Sequence, residues 1–322
     1  MRNNGLLPCK VAFCYTQTCM KTLSFLLLSF AALPLRAQVK IEDPAAETLV
    51  SPDAKVEKLA GDLKFTEGPV WIAEKKILVF SDIPAAKLMQ WSEGKGVSEF
   101  RASENSNGNT LDKEGRLVTC QHTGRNVVRT EKDGKIAVLV DKYDGKKLNS
   151  PNDVAVKSDG TLWITDPPYG VPKDQQKEQE GNWVYRFDPD SKKLTVVSKD
   201  FDMPNGIAFS PDEKRIYIAD SGKGQRVSAF DVKPDGTLGP AVFSTEGGSD
   251  GLRVDAKGNI YTTARDGVRI YSPEGKRLAT ITFPEQPANC AFGGDDFKTL
   301  FVTARTGLYS LKLKVAGNQL KR

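Results

Sequence analysis

The chain of 322 residues holds one histidine, His122. That scarcity excludes a multi-histidine zinc site and argues against a Ser-His-Asp triad. Cysteine is nearly as sparse: of five, Cys9, Cys14 and Cys19 fall within the first 37 residues. Only Cys120 and Cys290 remain, so a disulfide framework is not favoured and stability must come from a packed core. No segment keeps apolar residues at helical spacing over three turns, and beyond residue 37 none is long and apolar enough to cross a membrane. Charge of one sign is missing too. Four of the 46 basic residues and none of the 41 acidic ones lie in residues 1–37, so the remainder carries 42 against 41. A balance so close to neutral offers no electrostatic footprint for nucleic acid or anionic lipid.

Residues 1–37 stand apart in composition. Arg2, Lys10, Lys21 and Arg36 flank the run LSFLLLSFAALPL, which ends at LRA before Gln38. A positive n-region, an apolar h-region and a small-residue cleavage site are the parts of a secretory signal. The expectation is an exported protein, secreted or periplasmic, with residues 1–37 as the leader and Met20 as an alternative start. An N-terminal membrane anchor or a disordered extension is the competing reading.

What the chain does have is a repeat. Six polar residues each open a short apolar strand: Glu67 in TEGPVW, Asn107 in SNGNTL, Asn152 in SPNDVAV, Asn205 in MPNGIAF, Asp250 in SDGLRV and Asn289 in ANCAFGG. They are spaced by 40, 45, 53, 45 and 39 residues, the period of propeller blades. Seven residues after each comes a turn residue (Glu74, Glu114, Asp159, Asp212, Lys257, Asp296) and then a second apolar run. Those runs read KILVFSD, RLVTCQH, TLWITDP, RIYIADS, NIYTTAR and TLFVTAR. Period-2 alternation with Asp-Gly, Pro-Asp and Gly-Asn turns marks antiparallel hairpins. The predicted fold is all-β: a six-bladed β-propeller of four-stranded blades over residues 56–314, after an N-terminal segment 38–55 and before a tail 315–322. The strand near residues 56–63 should close the ring beside 308–313. In such a ring Cys120 and Cys290 sit in non-adjacent blades. The polar insertion GVPKDQQKEQEG (170–181) reads as a surface loop, with a lid over the site as the bolder alternative.

Equivalent positions in six blades converge on one mouth of the channel. The ring is Glu, Asn, Asn, Asn, Asp, Asn, all oxygen donors with two charged. Calcium takes six to eight oxygens in a forgiving geometry, and two carboxylates balance its charge. Mg2+, Mn2+ or Zn2+ are substitutes at the same position. The bland reading is that Asn and Asp cap strand starts. It does not explain Glu67, a poor turn former, in the same register.

These motifs resemble a known family. FTEGPVW, NSPNDVAV with TLWITDPPYG, MPNGIAFSPD, SDGLRVDAKGNIY and ANCAFGG are similar to the gluconolactonase branch of the family that includes regucalcin, over about residues 56–313. The resemblance implies a calcium-dependent propeller that hydrolyses sugar lactones and similar esters. It implies Glu67, Asn205 and Asp250 as main metal ligands, and Asn152 as a fourth ligand or a substrate contact. Asn107 and Asn289 have no implied ligand role and would line the pocket through water or substrate. One position departs from the pattern: Ser150 stands where regucalcin-like members carry a substrate-binding arginine.

A cation at this ring would polarise a lactone carbonyl and stabilise its oxyanion. Asp250 is the candidate base or nucleophile. His122 is a candidate proton shuttle or substrate contact, or else an ordinary strand-end histidine. Asp82, Asp166 and Asp220 end second strands and read as turn caps bonded to neighbouring blades, with Asp166 and Tyr169 as pocket candidates. Arg125 and Arg129 could meet an acidic substrate group, although solvated surface charge is the simpler reading. The leading expectation is an exported, monomeric lactone or ester hydrolase acting on a small molecule, with no nucleic-acid partner and no membrane contact after leader removal. A non-catalytic propeller binding a sugar or protein, and phosphotriester hydrolysis or sugar lyase or isomerase chemistry, are the alternatives.

Overall fold

The computed structural model describes residues 38–319, and the expected leader, residues 1–37, lies outside the described residues. Among the described residues six antiparallel blade sheets follow one another in sequence order, each built mainly from strands next to one another in the chain, and a two-stranded ribbon, Lys142–Tyr143 with Lys146–Lys147, lies between blades 2 and 3 in the chain. Blade 1 runs Thr66–Ile72, Ile77–Asp82, Lys87–Ser92 and Gly96–Ala102. Blade 2 runs Ser106–Leu111, Leu117–Gln121, Asn126–Thr130 and Ile136–Val140; blade 3 runs Val154–Val156, Leu162–Asp166, Trp183–Asp188 and Lys193–Ser198. Blade 4 comprises Pro204–Phe209, Arg215–Asp220, Arg226–Val232 and Leu238–Ser244. Blade 5 comprises Leu252–Val254, Ile260–Ala264, Gly267–Tyr271 and Arg277–Ile281, and blade 6 comprises Pro287–Gly293, Thr299–Ala304 and Gly307–Lys312. The six turn residues anticipated from the spacing all fall between first and second strands.

Ring closure follows the expectation. Val56–Ala60 adds the fourth strand of blade 6, with Val56 opposite Leu311 and Lys58 opposite Tyr309. The two ends of the propeller therefore share one sheet, and opening the ring would cost that whole strand pairing. Four strands per blade is not universal, however. Val39–Ile41 pairs with Arg277–Ile281 as a fifth, outermost strand of blade 5. A one-turn 3-10 helix, Pro44–Thr48, follows it, opened by Asp43, whose carboxylate accepts from Ala45 N at 2.8 Å. This turn drops Ala46, Leu49 and Val50 into the seam between blades 5 and 6.

The core consists of the seams. Among the described residues six apolar clusters form, one between each pair of neighbouring blades. Trp163 of blade 3 meets Phe209 of blade 4 edge-on, and Trp71 of blade 1 stacks on Phe301 of blade 6. Inner and middle strands are buried on both faces, so they read as near-continuous apolar runs, whereas outer strands such as Lys193–Ser198 alternate exposed and covered positions. At roughly 1.5–3 kcal/mol per fully buried large aliphatic side chain, each seam holds its two blades at fixed spacing. That spacing is what makes a ring of side chains at the mouth rigid. Cys120 and Cys290, in blades 2 and 6, are buried and free. Among the described residues no helix is long and apolar enough to cross a membrane.

Candidate metal and active site

The six strand openers do not sit in regular ladder. In blades 1, 2, 4 and 6 the register between first and second strands breaks at the opener: between Glu67 and Val70, Ser106 and Asn109, Pro204 and Ile207, and Pro287 and Asn289. In blades 3 and 5 regular pairing begins only after Asn152 and Asp250, whose N–H groups donate to Thr165 O at 2.8 Å and Thr263 O at 2.9 Å. A bulge re-aims the side chain at its centre. These irregular starts leave Glu67, Asn107, Asn152, Asn205 and Asp250 facing the channel.

Backbone bonds then stitch opener to opener. Gly108 N donates to Asn152 O at 2.8 Å, and Gly206 N donates to Asp250 O at 2.9 Å. Such approaches require glycine. A Cβ on Gly206 would lie 2.6 Å from Asp250 O, and one on Gly68, whose φ is +50°, would lie 2.0 Å from Asn107 O. Blade 3 departs from this pattern, because Asp153 stands where its neighbours have glycine. Its carboxylate pairs with Arg253 Nη1 at 3.0 Å, joining two residues 100 positions apart beneath the ring. The sequence reading missed this ion pair.

The openers border a cavity of about 680 Å³, lined by Glu67, Asn107, Asn152, Asn205 and Asp250 together with His122 and Tyr169. Glu67 is buried; its Oε2 accepts from Gly68 N and, at 2.9 Å, from Asn289 Nδ2. Burial and the adjacent Asp250 charge hold its carboxyl well above the usual range. Asp250 is half-buried and its acid form is likewise favoured, chiefly by burial, against the hydrogen bond from Asn205. Asn205 Nδ2 also donates to Ser221 Oγ at 3.0 Å, which fixes the amide plane, and Ser221 in turn donates to Ser249 O at 2.7 Å.

His122 is buried, and burial pulls its imidazole down to about 4, so it is neutral near pH 7. Asn107 Nδ2 and His122 Nε2 lie 3.0 Å apart. With the amide donating, Nε2 is an acceptor already in use and Nδ1 carries the proton. Gly170 covers the other side of the ring, for a Cβ there would come within 2.1–2.5 Å of His122 atoms. Tyr169, 47% exposed, stands on the cavity wall with its phenol near Asn205 and Ser221.

Two expected substrate contacts, Asn289 and Asp166, are placed elsewhere. Asn289 lies behind Glu67 and does not line the cavity; its amide holds the carboxylate and its Oδ1 accepts from Cys290 N. Asp166 is wholly buried, off the cavity wall, and accepts from Asn149 N at 2.8 Å; burial pushes it up to about 7. Asp82 and Asp220 do the same for Phe65 and Met203. These aspartates therefore cap the entrance to their own blade rather than bond a neighbouring one, and that register explains why Asp166 cannot also face substrate. Ser150 is buried as well, accepting from Gly170 N at 2.8 Å and donating to Pro167 O at 2.7 Å.

Arg125 needs the largest correction. It is 2% exposed and not a solvated surface charge. Nε donates to Leu148 O at 2.8 Å, and Nη1 reaches Gln175 Oε1 and Glu178 Oε1, both at 3.2 Å, in the 170–181 insertion. Arg129 is half-buried, paired with Glu131 and near Asp112. Residues on the cavity wall that sequence reasoning did not single out include Ser221, Gln225, Thr263, Arg265, Arg269 and Gln286.

With this geometry in place, comparison with known proteins is decisive. The family described as "SMP-30/Gluconolactonase/LRE-like region" matches residues 65–306. The chain belongs to the SMP-30/gluconolactonase family. It is 29% identical to the gluconolactonase of Zymomonas mobilis over 306 residues, 85% of each chain. A solved gluconolactonase from Xanthomonas campestris superposes with a TM-score of 0.81 at 33% identity, covering 86% of this chain and 96% of that one. A calcium-binding regucalcin from Agrobacterium tumefaciens shares the fold, with a TM-score of 0.68 at 21% identity, 82% of this chain and 95% of that one.

The family thus includes calcium-binding members, and the residues present fit such an ion. Among the described residues no three His, Cys, Asp or Glu side chains cluster, so a soft-metal cage is not built. The donor set is two carboxylates and two amides, the chemistry of a hard cation. Glu67 and Asp250 repel each other, and neither has a cationic hydrogen-bond partner. A divalent cation relieves that repulsion. Glu67, Asn152, Asn205 and Asp250 are the residues that would hold it.

Proposed function

We propose that this protein is an exported lactone hydrolase that opens a sugar lactone or closely related ester at the mouth of the propeller, with calcium held by Glu67, Asn152, Asn205 and Asp250. The observation that carries the reading is the convergence of Glu67 and Asp250 on one cavity wall in a member of this family. When bound, the ion would polarise the lactone carbonyl and neutralise the developing oxyanion. Glu67, tied by Gly68 N and Asn289, is fixed as a ligand. Asp250 keeps an edge open to the cavity and serves as the base. It takes a proton from a water whose oxygen attacks the carbonyl carbon; the ring C–O bond then breaks, and the proton passes to the leaving alkoxide. Burial favours the protonated form of Asp250, which suits a group that accepts and then returns a proton. His122, neutral and bonded to Asn107, orients that amide toward the substrate. Tyr169 walls the site on the side of Asn205.

Hydrolysis of a panel of γ- and δ-lactones by chelator-treated protein, with and without calcium, tests this. Calcium-restored turnover supports it. Calcium binding with no turnover of any lactone would point to a binding propeller, and turnover confined to phosphotriesters to the other hydrolytic reading. Export rests on the composition of residues 1–37 and is checked by N-terminal sequencing of protein recovered from the periplasm or medium. A mature start near Gln38 is expected.

A further inference from the structure

The residues just after the second strands are Ile83, His122, Pro167, Ser221, Arg265 and Arg305, and of these Ile83, His122, Ser221 and Arg265 line the cavity. Blades 5 and 6 thus carry arginine side by side where the other blades do not. Arg265 lines the cavity, is exposed, and has no hydrogen bond or ion pair among the described residues. Arg305, held at a φ of +47°, lies 5.5 Å over the Phe65 ring and donates to Gln286 Oε1 at 2.9 Å. Phe65 and Gln286 both line the cavity. Arg269 lines it too, with Nε donating to Asp266 at 2.9 Å.

The charge balance of the wall has one sign. The acids that line the cavity are Glu67 and Asp250, and His122 is neutral. A divalent cation would cancel those two carboxylates; Asp266 already meets the Arg269 charge, which leaves Arg265 unpaired on the wall with Arg305 behind. A neutral polyol has no use for that surplus. An unpaired guanidinium on a concave wall presents its fork to a planar or tetrahedral oxyanion.

Resting on the lactonase reading, we propose that the substrate is an anionic lactone, bearing a phosphate, sulfonate or carboxylate away from the carbonyl, and that Arg265, assisted by Arg305, receives this group. The three anions share one chemistry, and comparing them tells which is meant.

The test uses the calcium-loaded protein with glucono-1,5-lactone and its 6-phosphate, 6-deoxy-6-sulfo and 6-carboxylate counterparts. The best anionic lactone should exceed the neutral one in kcat/KM by about 10-fold or more. Arg265→Gln should erase most of that ratio, Arg265→Lys part of it, and Arg305→Gln a smaller share. Lys95→Gln, which removes a surface charge on an exposed turn of blade 1, should leave the ratio intact and so exclude general charge steering. A parent ratio near one, or a ratio that Arg265→Gln does not move, overturns the proposal. Calorimetric binding of gluconolactam and its 6-phosphate needs no turnover. If no lactone is hydrolysed, the functional reading fails, and these ligands still decide. Tighter binding of the phosphate that Arg265→Gln abolishes supports the anion subsite, whereas equal binding sinks it.

Discussion

Asn289 Nδ2 donates to Glu67 Oε2 at 2.9 Å, across the junction that closes the ring between blades 6 and 1. The acceptor is a buried carboxylate that burial and Asp250 both push toward its acid form. A charge-assisted bond of this kind contributes about 1.5–3 kcal/mol to the ionised state. Asn289→Leu should therefore weaken calcium binding by roughly 10-fold or more, with the fold intact by circular dichroism. Unchanged affinity in a calcium titration would show that Gly68 N alone orients the ligand.

Much of the ring was legible in the sequence because its signal is repeated. Glu67, Asn107, Asn152, Asn205, Asp250 and Asn289 share a register with six hairpins, and the seams force that register. What escaped was decided by contacts at long range. Val39–Ile41 is three residues in a polar stretch, and only the free edge of blade 5 makes it a strand. Arg125 looks like surface charge until the insertion, some 50 residues later in the chain, folds over it. Asp153 meets Arg253 across the channel, with no local periodicity to announce the pair. Asp166 misled because a buried cap and a pocket acid look alike in sequence. Its equivalence with Asp82 and Asp220 was the clue that counted.

Asp250→Asn keeps an oxygen for the metal and removes both charge and basicity. Lactone turnover at saturating calcium should fall about 10²-fold or more, the scale of lost acid–base assistance. Calcium affinity should weaken too, since one of the two cavity carboxylates is gone. Parental turnover in this variant would make Asp250 structural and move the base elsewhere. Asn205→Asp is the contrast: it adds charge at the ring without supplying the base.

Metal binding should be proton-linked. Asp250 titrates at about 6 in the metal-free fold, mainly through burial, and Glu67 is raised further by burial and the Asp250 charge. Both are raised acids, so the metal-free fold gains stability as pH falls through their titration and loses it as pH rises. Calcium holds both groups ionised and must displace their protons. Affinity should therefore tighten as pH rises through about 6 and continue to tighten while Glu67 still releases its proton. Calorimetry in two buffers of different ionisation enthalpy reads the protons released per ion. Release of none at pH 6 would show that the two carboxyls are already ionised without the metal.

The insertion over His122 should be latched by Arg125. Its buried guanidinium reaches Gln175 and Glu178, and Glu178 Oε2 also accepts from Lys147 N at 2.8 Å. Gln179 Nε2 donates to Lys146 O at 2.9 Å. In the same segment Lys173 and Lys177 are exposed, so trypsin reports on it directly. Glu178→Ala removes the acceptor from the surface side and leaves the seams untouched. Cleavage at Lys173 or Lys177 should accelerate about 10-fold, because local opening governs proteolysis of a folded protein, with little change in melting temperature. Arg125→Met should accelerate it at least as much and also lower the melting temperature, since it empties a buried hydrogen-bonding position and orphans Leu148 O. Because Gly170 packs on His122, the loosened segment should raise KM for lactones more than it lowers kcat. Cleavage as slow as in the parent protein for both variants would mean that Ser150 and Gln179 hold the segment without Arg125.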